Sequence, residues 1–238
     1  MKRLIALLVV FTSIQAQAAN NPAPVDLTGV WMPTAIGPTG ERTQVFPENL
    51  PFLPETEAGR AAYEANYNPV VDDASRSCLP YGMPRQMLVR AQYPTEIIQT
   101  DDRITMIVEL HNDVRRIYLD GRQKPDGLLP SFMGFSTGHW EKDELVIETT
   151  GIRPGGYPEP KSTDLKVTER IRLVDGGDAG TMLELKMVID DPVYYAAPFT
   201  AINYFRQYDG LEMGEYFCSE DLWRQNLDGR TGDYIPWR

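Results

Sequence analysis

From Pro94 onward, apolar and polar residues alternate with a period of two. Arg103 to His111 places Ile104, Met106, Val108 and Leu110 on one face, the pattern of a half-buried strand and not of a helix. Glu96 to Gln99 forms a strand before it. Asn112-Asp113 supplies a turn, and Arg115 to Asp120 returns. Phe132 to Trp140 and Leu145 to Thr149 predict a hairpin around Glu141-Lys142-Asp143. Leu165 to Val174 and Met182 to Asp190 predict another around Gly176 to Gly180. Phe199 to Tyr208 and Met213 to Phe217 are expected to make a last pair, and Asp26 to Trp31 the first strand.

Helix is a minor component. Pro54-Glu55-Thr56-Glu57 followed by Ala58 to Asn66 reads as one short helix, with proline at its start and acids in its first turn. The 19 glycines and 19 prolines exceed the roughly 12% of average usage and agree with a turn-rich chain. Sequential antiparallel strands leave two open sheet edges, and closure removes them. The expected fold is all-β: one antiparallel barrel of about 8–10 strands, with a two-sheet sandwich as the alternative. Residues 19–54 make a lead-in strand and a proline-rich irregular segment, and residues 55–238 the rest of a single domain.

The amino terminus changes the picture of where this barrel works. Lys2-Arg3, the apolar run Leu4 to Phe11 and Ala16-Gln17-Ala18 have the form of a cleaved secretory signal over residues 1–18. The apolar run is too short for the about 20 residues of a membrane span, so no transmembrane segment is expected. The address is periplasmic or secreted. In an oxidising compartment the two cysteines, Cys78 and Cys218, are expected to form a disulfide. The chain carries 23 Lys+Arg against 34 Asp+Glu, net −11. That balance argues against nucleic acid as a partner.

Several strings carry a family resemblance. Leu27-Thr28-Gly29-Val30-Trp31 resembles the Gly-x-Trp first strand of lipocalin-like, or calycin, barrels, in which the tryptophan closes the barrel floor. Cys78 to Arg85 (CLPYGMPR), Arg115 to Arg122 (RRIYLDGR) and Gly134 to Thr149 (GFSTGHWEKDELVIET) resemble a large family of secreted bacterial lipocalin-like proteins. Thr168 to Arg170, Asp190 to Pro192 and Glu215 to Glu220 continue the match. The resemblance implies the fold and the compartment and assigns no reaction. The chain departs from the family pattern where Phe135 replaces a histidine, and where Pro158 to Ser162 replaces a Gly-His-Pro-His-like string. His139 stands where relatives carry Arg or His.

Candidate chemistry is confined to ionisable residues interleaved in strands. There is no Gly-rich phosphate loop, and the Gly-x-Ser-x-Gly string Gly134 to Gly138 falls within a predicted strand, where a nucleophile elbow needs a strand-to-helix turn. The two histidines, His111 and His139, are spaced for no metal site. No cofactor and no metal are expected. Arg116, Tyr118 and Asp120 share one face of their strand, opposite Arg115, Ile117 and Leu119. Glu169 falls on an otherwise apolar face, where a carboxylate is costly unless paired; Arg85 or Arg116 is the expected partner. Three readings stay open. The first is a carrier that binds a small hydrophobic or aromatic molecule in the barrel lumen through Arg85, Met83, Tyr194 and Tyr195. The second is a cofactor-independent lyase or isomerase in which Arg116, Tyr118, His139 and Glu169 converge in the lumen, Glu169 or His139 moving a proton while Arg116 and Tyr118 stabilise an oxyanion. The third is a structural barrel with a filled interior.

Overall fold

The computed structural model describes residues 23–41, 56–66, 78–88, 93–155, 160–208 and 210–221. The expected signal segment, most of the proline-rich excursion and part of the Pro158 to Ser162 string lie outside the described residues. Nine strands run in chain order around a closed barrel: β1 (Gly29–Thr34), β2 (Thr95–Gln99), β3 (Arg103–Val108), β4 (Asp113–Tyr118), β5 (Phe135–Glu141), β6 (Glu144–Thr150), β7 (Lys166–Asp175), β8 (Thr181–Asp190) and β9 (Phe199–Arg206). β1 closes on β9 through Met32↔Arg206 to Thr34↔Tyr204. The barrel is mostly antiparallel, and it takes up the period-two pattern directly. Ile104, Met106 and Val108 turn inward, as do Val167, Glu169 and Ile171 and, on β8, Leu183, Leu185, Met187 and Ile189.

An odd strand count has a topological consequence. Strands that alternate direction around a ring of nine cannot close without one parallel neighbour pair. That pair is β4 with β5, joined only at Ile117↔Ser136 and Tyr118↔Thr137. Every other neighbour pair is antiparallel. A parallel pair needs a long crossover to bring the chain back to the same end, and the segment 119–134 provides it. Gly134, at φ +68°, ends the crossover: a Cβ there would lie 2.8 Å from Thr149 Cγ2 and 2.9 Å from Ile152 Cγ1.

Among the described residues two α-helices accompany the barrel. α1 (Glu57–Asn66) occupies the expected stretch. α2 (Arg85–Leu88) was not legible in the pattern, and it matters more: Gln86, Met87 and Leu88 are all buried. Asn203 Nδ2 donates to the Met87 carbonyl at 3.0 Å, and Gln86 Nε2 to that of Leu110 at 3.0 Å. Met87 thereby meets Trp31, Ile97, Met106, Leu185 and Phe205 inside the barrel, around a void of about 10 Å³. That volume is close to the ~10–15 Å³ a single water requires.

The expected last strand, Met213 to Phe217, is irregular. Its backbone is used elsewhere. Asn112 Nδ2 donates to the Tyr216 carbonyl at 3.1 Å, and Gly214 N donates to Glu109. Cys218 is bridged to Cys78, Cα to Cα 5.7 Å. The carboxyl-terminal segment is thus strapped across the turn before β4 and tied to the lead-in of α2.

Candidate functional site

Strand parity decides which residues of the wall face inward. On β4 the inward set is Asp113, Arg115 and Ile117, so Arg116 is exposed on the outer face. Glu169 does point into the barrel, at 0% exposure, but its partner is Arg115 and neither Arg85 nor Arg116. Arg115 Nη1 donates to Glu169 Oε1 at 2.9 Å and Nη2 donates to Oε2, a two-pronged pair. Nη2 also donates to Thr149 Oγ1 at 2.8 Å, and Nε and Nη2 each donate to Ser136 Oγ at 3.2 Å. Ser136 and Thr149 hydrogen-bond each other at 2.9 Å. One guanidinium therefore links β4, β5, β6 and β7 on the inner wall. It does so beside the seam, where backbone pairing is thinnest.

Asp113 lies two positions before Arg115 on the same inward face. It is 9% exposed, and its Oδ2 finds no hydrogen-bond partner among the described residues. Burial pushes its carboxyl up to about 6. The folded form therefore holds this proton at a pH where the unfolded chain, with an ordinary value of 3.8, has released it. Stability falls as pH rises from about 4 through about 6, and the full cost persists above that. Asp113→Asn is expected to raise stability by up to about 3 kcal/mol at pH 7. Denaturant unfolding at pH 7 and pH 4 checks this: the gain should vanish at the lower pH.

The outer side of the same seam is concave. Val114, Arg116 and Tyr118 of β4 form one wall, and Ser131 to Phe135 with Gly151 the other. Lys124, Leu128 and Leu129 rise from the crossover. The groove has a volume of about 440 Å³, within the roughly 300–1,000 Å³ of small-molecule sites. Leu129 is 82% exposed and Leu128 and Val114 are also exposed, an apolar surface that gains from being covered. The aromatic rings here are held in place. Tyr118 stacks on Phe135 with centroids 5.3 Å apart, Arg122 sits 4.1 Å above the Tyr118 ring, and Arg153 sits 4.9 Å from that of Phe132.

The sequence-derived residues thus fall into separate places. Arg116 and Tyr118 share the outer groove. His139 is 61% exposed on the outer face of β5, with Nε2 3.2 Å from Glu141 Oε1. Glu169 lies across the barrel wall from all three. The expected convergence of Arg116, Tyr118, His139 and Glu169 in the lumen is therefore corrected. An exposed hydrophilic side chain on β4 or β5 avoids a desolvation cost that only Arg115, with Glu169, Ser136 and Thr149 around it, offsets. Arg85 and Tyr195 do meet, with Pro84, Leu88, Lys161 and Phe199, around a space of about 20 Å³. Arg85 stacks over Tyr81, and Tyr195 meets Phe199 edge-on at 5.1 Å. Met83 is a fully buried core residue. Tyr194 is half-buried, its carbonyl accepting from Thr56 Oγ1. Asp191 builds that corner by accepting from Ser162 N and Oγ, both at 2.7 Å.

Sequence reasoning missed Arg115, Lys124, Phe132 and Phe135 as site-forming residues. The alternation did carry a signal for Arg115, which shares its face with Ile117 and Leu119. Among the described residues no group of histidine, cysteine and carboxylate side chains is placed to hold a metal ion. No described helix is long and apolar enough to cross a membrane. No protein-family model matches the chain, and no curated protein matches it.

Proposed function

We propose that this protein is a secreted or periplasmic carrier of a small hydrophobic or aromatic molecule, and that the ligand lies in the groove outside the β4–β5 seam. The observation that carries the reading is the contrast in space. The groove offers about 440 Å³ lined by rings and leucines, while the void around Trp31 and Met87 offers about 10 Å³. Kinship with secreted lipocalin-like proteins belongs to the same proposal. Its support is the closed barrel, with Trp31 of the Gly-x-Trp strand buried inside it and donating from Nε1 to the Leu27 carbonyl at 2.9 Å. The Cys78–Cys218 bridge agrees with an oxidising compartment. The lyase or isomerase reading needs an acid or base beside Arg116 and Tyr118; Glu169 faces the opposite side of the wall, and His139, on the outer face, is not part of the groove lining. A carrier needs only the groove.

Filling the groove tests this. Val114 faces outward and is exposed, so Val114→Trp places an indole in the groove without disturbing the core. Calorimetric titration of the mature protein with 2-naphthylmethanol is expected to show binding that weakens at least about ten-fold in the variant, the equivalent of one ring's lost burial. Thermal unfolding should be unchanged. Equal binding by both proteins would place the ligand elsewhere.

A further inference from the structure

The groove is basic in an acidic protein, and its cations are uncommitted. Three other arginines are taken up by acids. Arg170 bridges Glu141 and Glu144, Arg172 pairs with Glu184, and Arg122 is bound to Asp120. Arg116 and Lys124 line the groove, and Arg153 stacks on Phe132 at its edge; the described structure gives none of the three an acidic partner. The chain as a whole carries a net charge of −11. Three unneutralised cations around one concavity make a local positive field against that background, and such a field attracts and orients an anion.

The remaining lining defines what the anion is attached to. Tyr118, Phe132 and Phe135 present rings, and Leu128, Leu129 and Met133 present apolar surface. Arg122 and Arg153 brace Tyr118 and Phe132, so these rings are positioned before any ligand arrives, which lowers the ordering cost of binding. A guanidinium accepts a carboxylate in a two-pronged geometry, and a lysine adds a point charge. From this combination we infer that the groove selects aromatic carboxylates, with Arg116 and Lys124 holding the carboxylate and the Phe132–Phe135 wall holding the ring. This inference rests on the proposed carrier reading and narrows it to one ligand class.

A matched pair of probes separates the two claims. 2-Naphthoate and 2-naphthylmethanol share a ring system and differ in charge. Titrated calorimetrically into the mature protein at roughly 0.02 M salt, the carboxylate is expected to bind at least about ten-fold more tightly than the alcohol. Raising the salt to roughly 0.5 M should remove most of that preference, because exposed charges are screened. In an Arg116→Gln/Lys124→Gln variant the preference should disappear, read as the ratio of the two affinities so that any loss common to both probes cancels; both side chains are exposed, and a thermal melt confirms an intact fold. Equal affinity for the two probes in the unaltered protein would overturn the carboxylate inference and leave the carrier reading standing. Binding of neither probe would overturn the carrier reading and the inference with it. A preference that survives the double substitution would overturn the assignment to Arg116 and Lys124.

Discussion

Glu169→Gln is expected to lower the unfolding free energy by about 3–5 kcal/mol, the range for removing one partner of a buried ion pair. The cost arises because Arg115, 1% exposed, would keep its charge with no carboxylate to meet it, and a guanidinium does not shed its proton. Arg115→Met is expected to be milder, since the stranded carboxyl can be neutralised by a proton; its deficit should shrink as pH is lowered. Replacing both residues by apolar ones of similar volume should recover most of the stability, as buried pairs commonly break even against packed hydrophobic side chains. Guanidinium unfolding of the four proteins checks the series. Amide exchange at Ile117 and Ser136 should rise most, because Arg115 is what joins the seam strands beyond two register pairs. If Glu169→Gln leaves stability within about 0.5 kcal/mol of the parent, the range of an ordinary surface change, the bracing role is wrong.

Cys78→Ser/Cys218→Ser is expected to have an effect of similar size. The bridge spans a sequence separation of 140, and the chain-entropy account assigns a loop of this length about 5 kcal/mol. Its removal acts mainly on the unfolded ensemble, so the lost stability should appear with the barrel intact at low temperature. The local consequence is separate. The segment around Tyr216, which packs against Tyr93 at 5.7 Å and His111 at 5.0 Å, should become susceptible to proteolysis before the strands do. Melting curves with and without reductant, combined with limited proteolysis, measure both effects. A melting temperature unchanged on reduction would refute the stabilising role.

Much of the architecture is local and was therefore legible. Alternation in Ile104-Thr105-Met106-Ile107-Val108 requires a strand with one wet face, whatever its neighbours do. Turn residues at Glu141-Lys142-Asp143 and Gly176 to Gly180 set the β5–β6 and β7–β8 hairpins. The Cys78–Cys218 bridge was legible from the cysteine count and the expected oxidising compartment. The same alternation placed Glu169 among Val167 and Ile171 on an inward face, and so its need for a buried cation. What it left open was which cation. Arg115 and Arg116 are adjacent, a strand inverts its facing at every residue, and either could have been the inner one until Ile117 was anchored against Ile104.

The groove and the filled interior were decided at a different level. A ring of nine strands requires a parallel seam somewhere, but no single strand records its position. The seam fell at β4–β5 because the 119–134 crossover is long enough to return the chain, and that same crossover supplies Lys124, Leu128 and Leu129 to the groove. The interior is closed by α2, four residues whose Met87 and Leu88 find their partners on strands far away in sequence. Residue pattern determined the strands, their polarity and the bridge, because those depend on neighbours along the chain. Closure determined the site, because a concavity exists only where separated segments fail to fill the space between them.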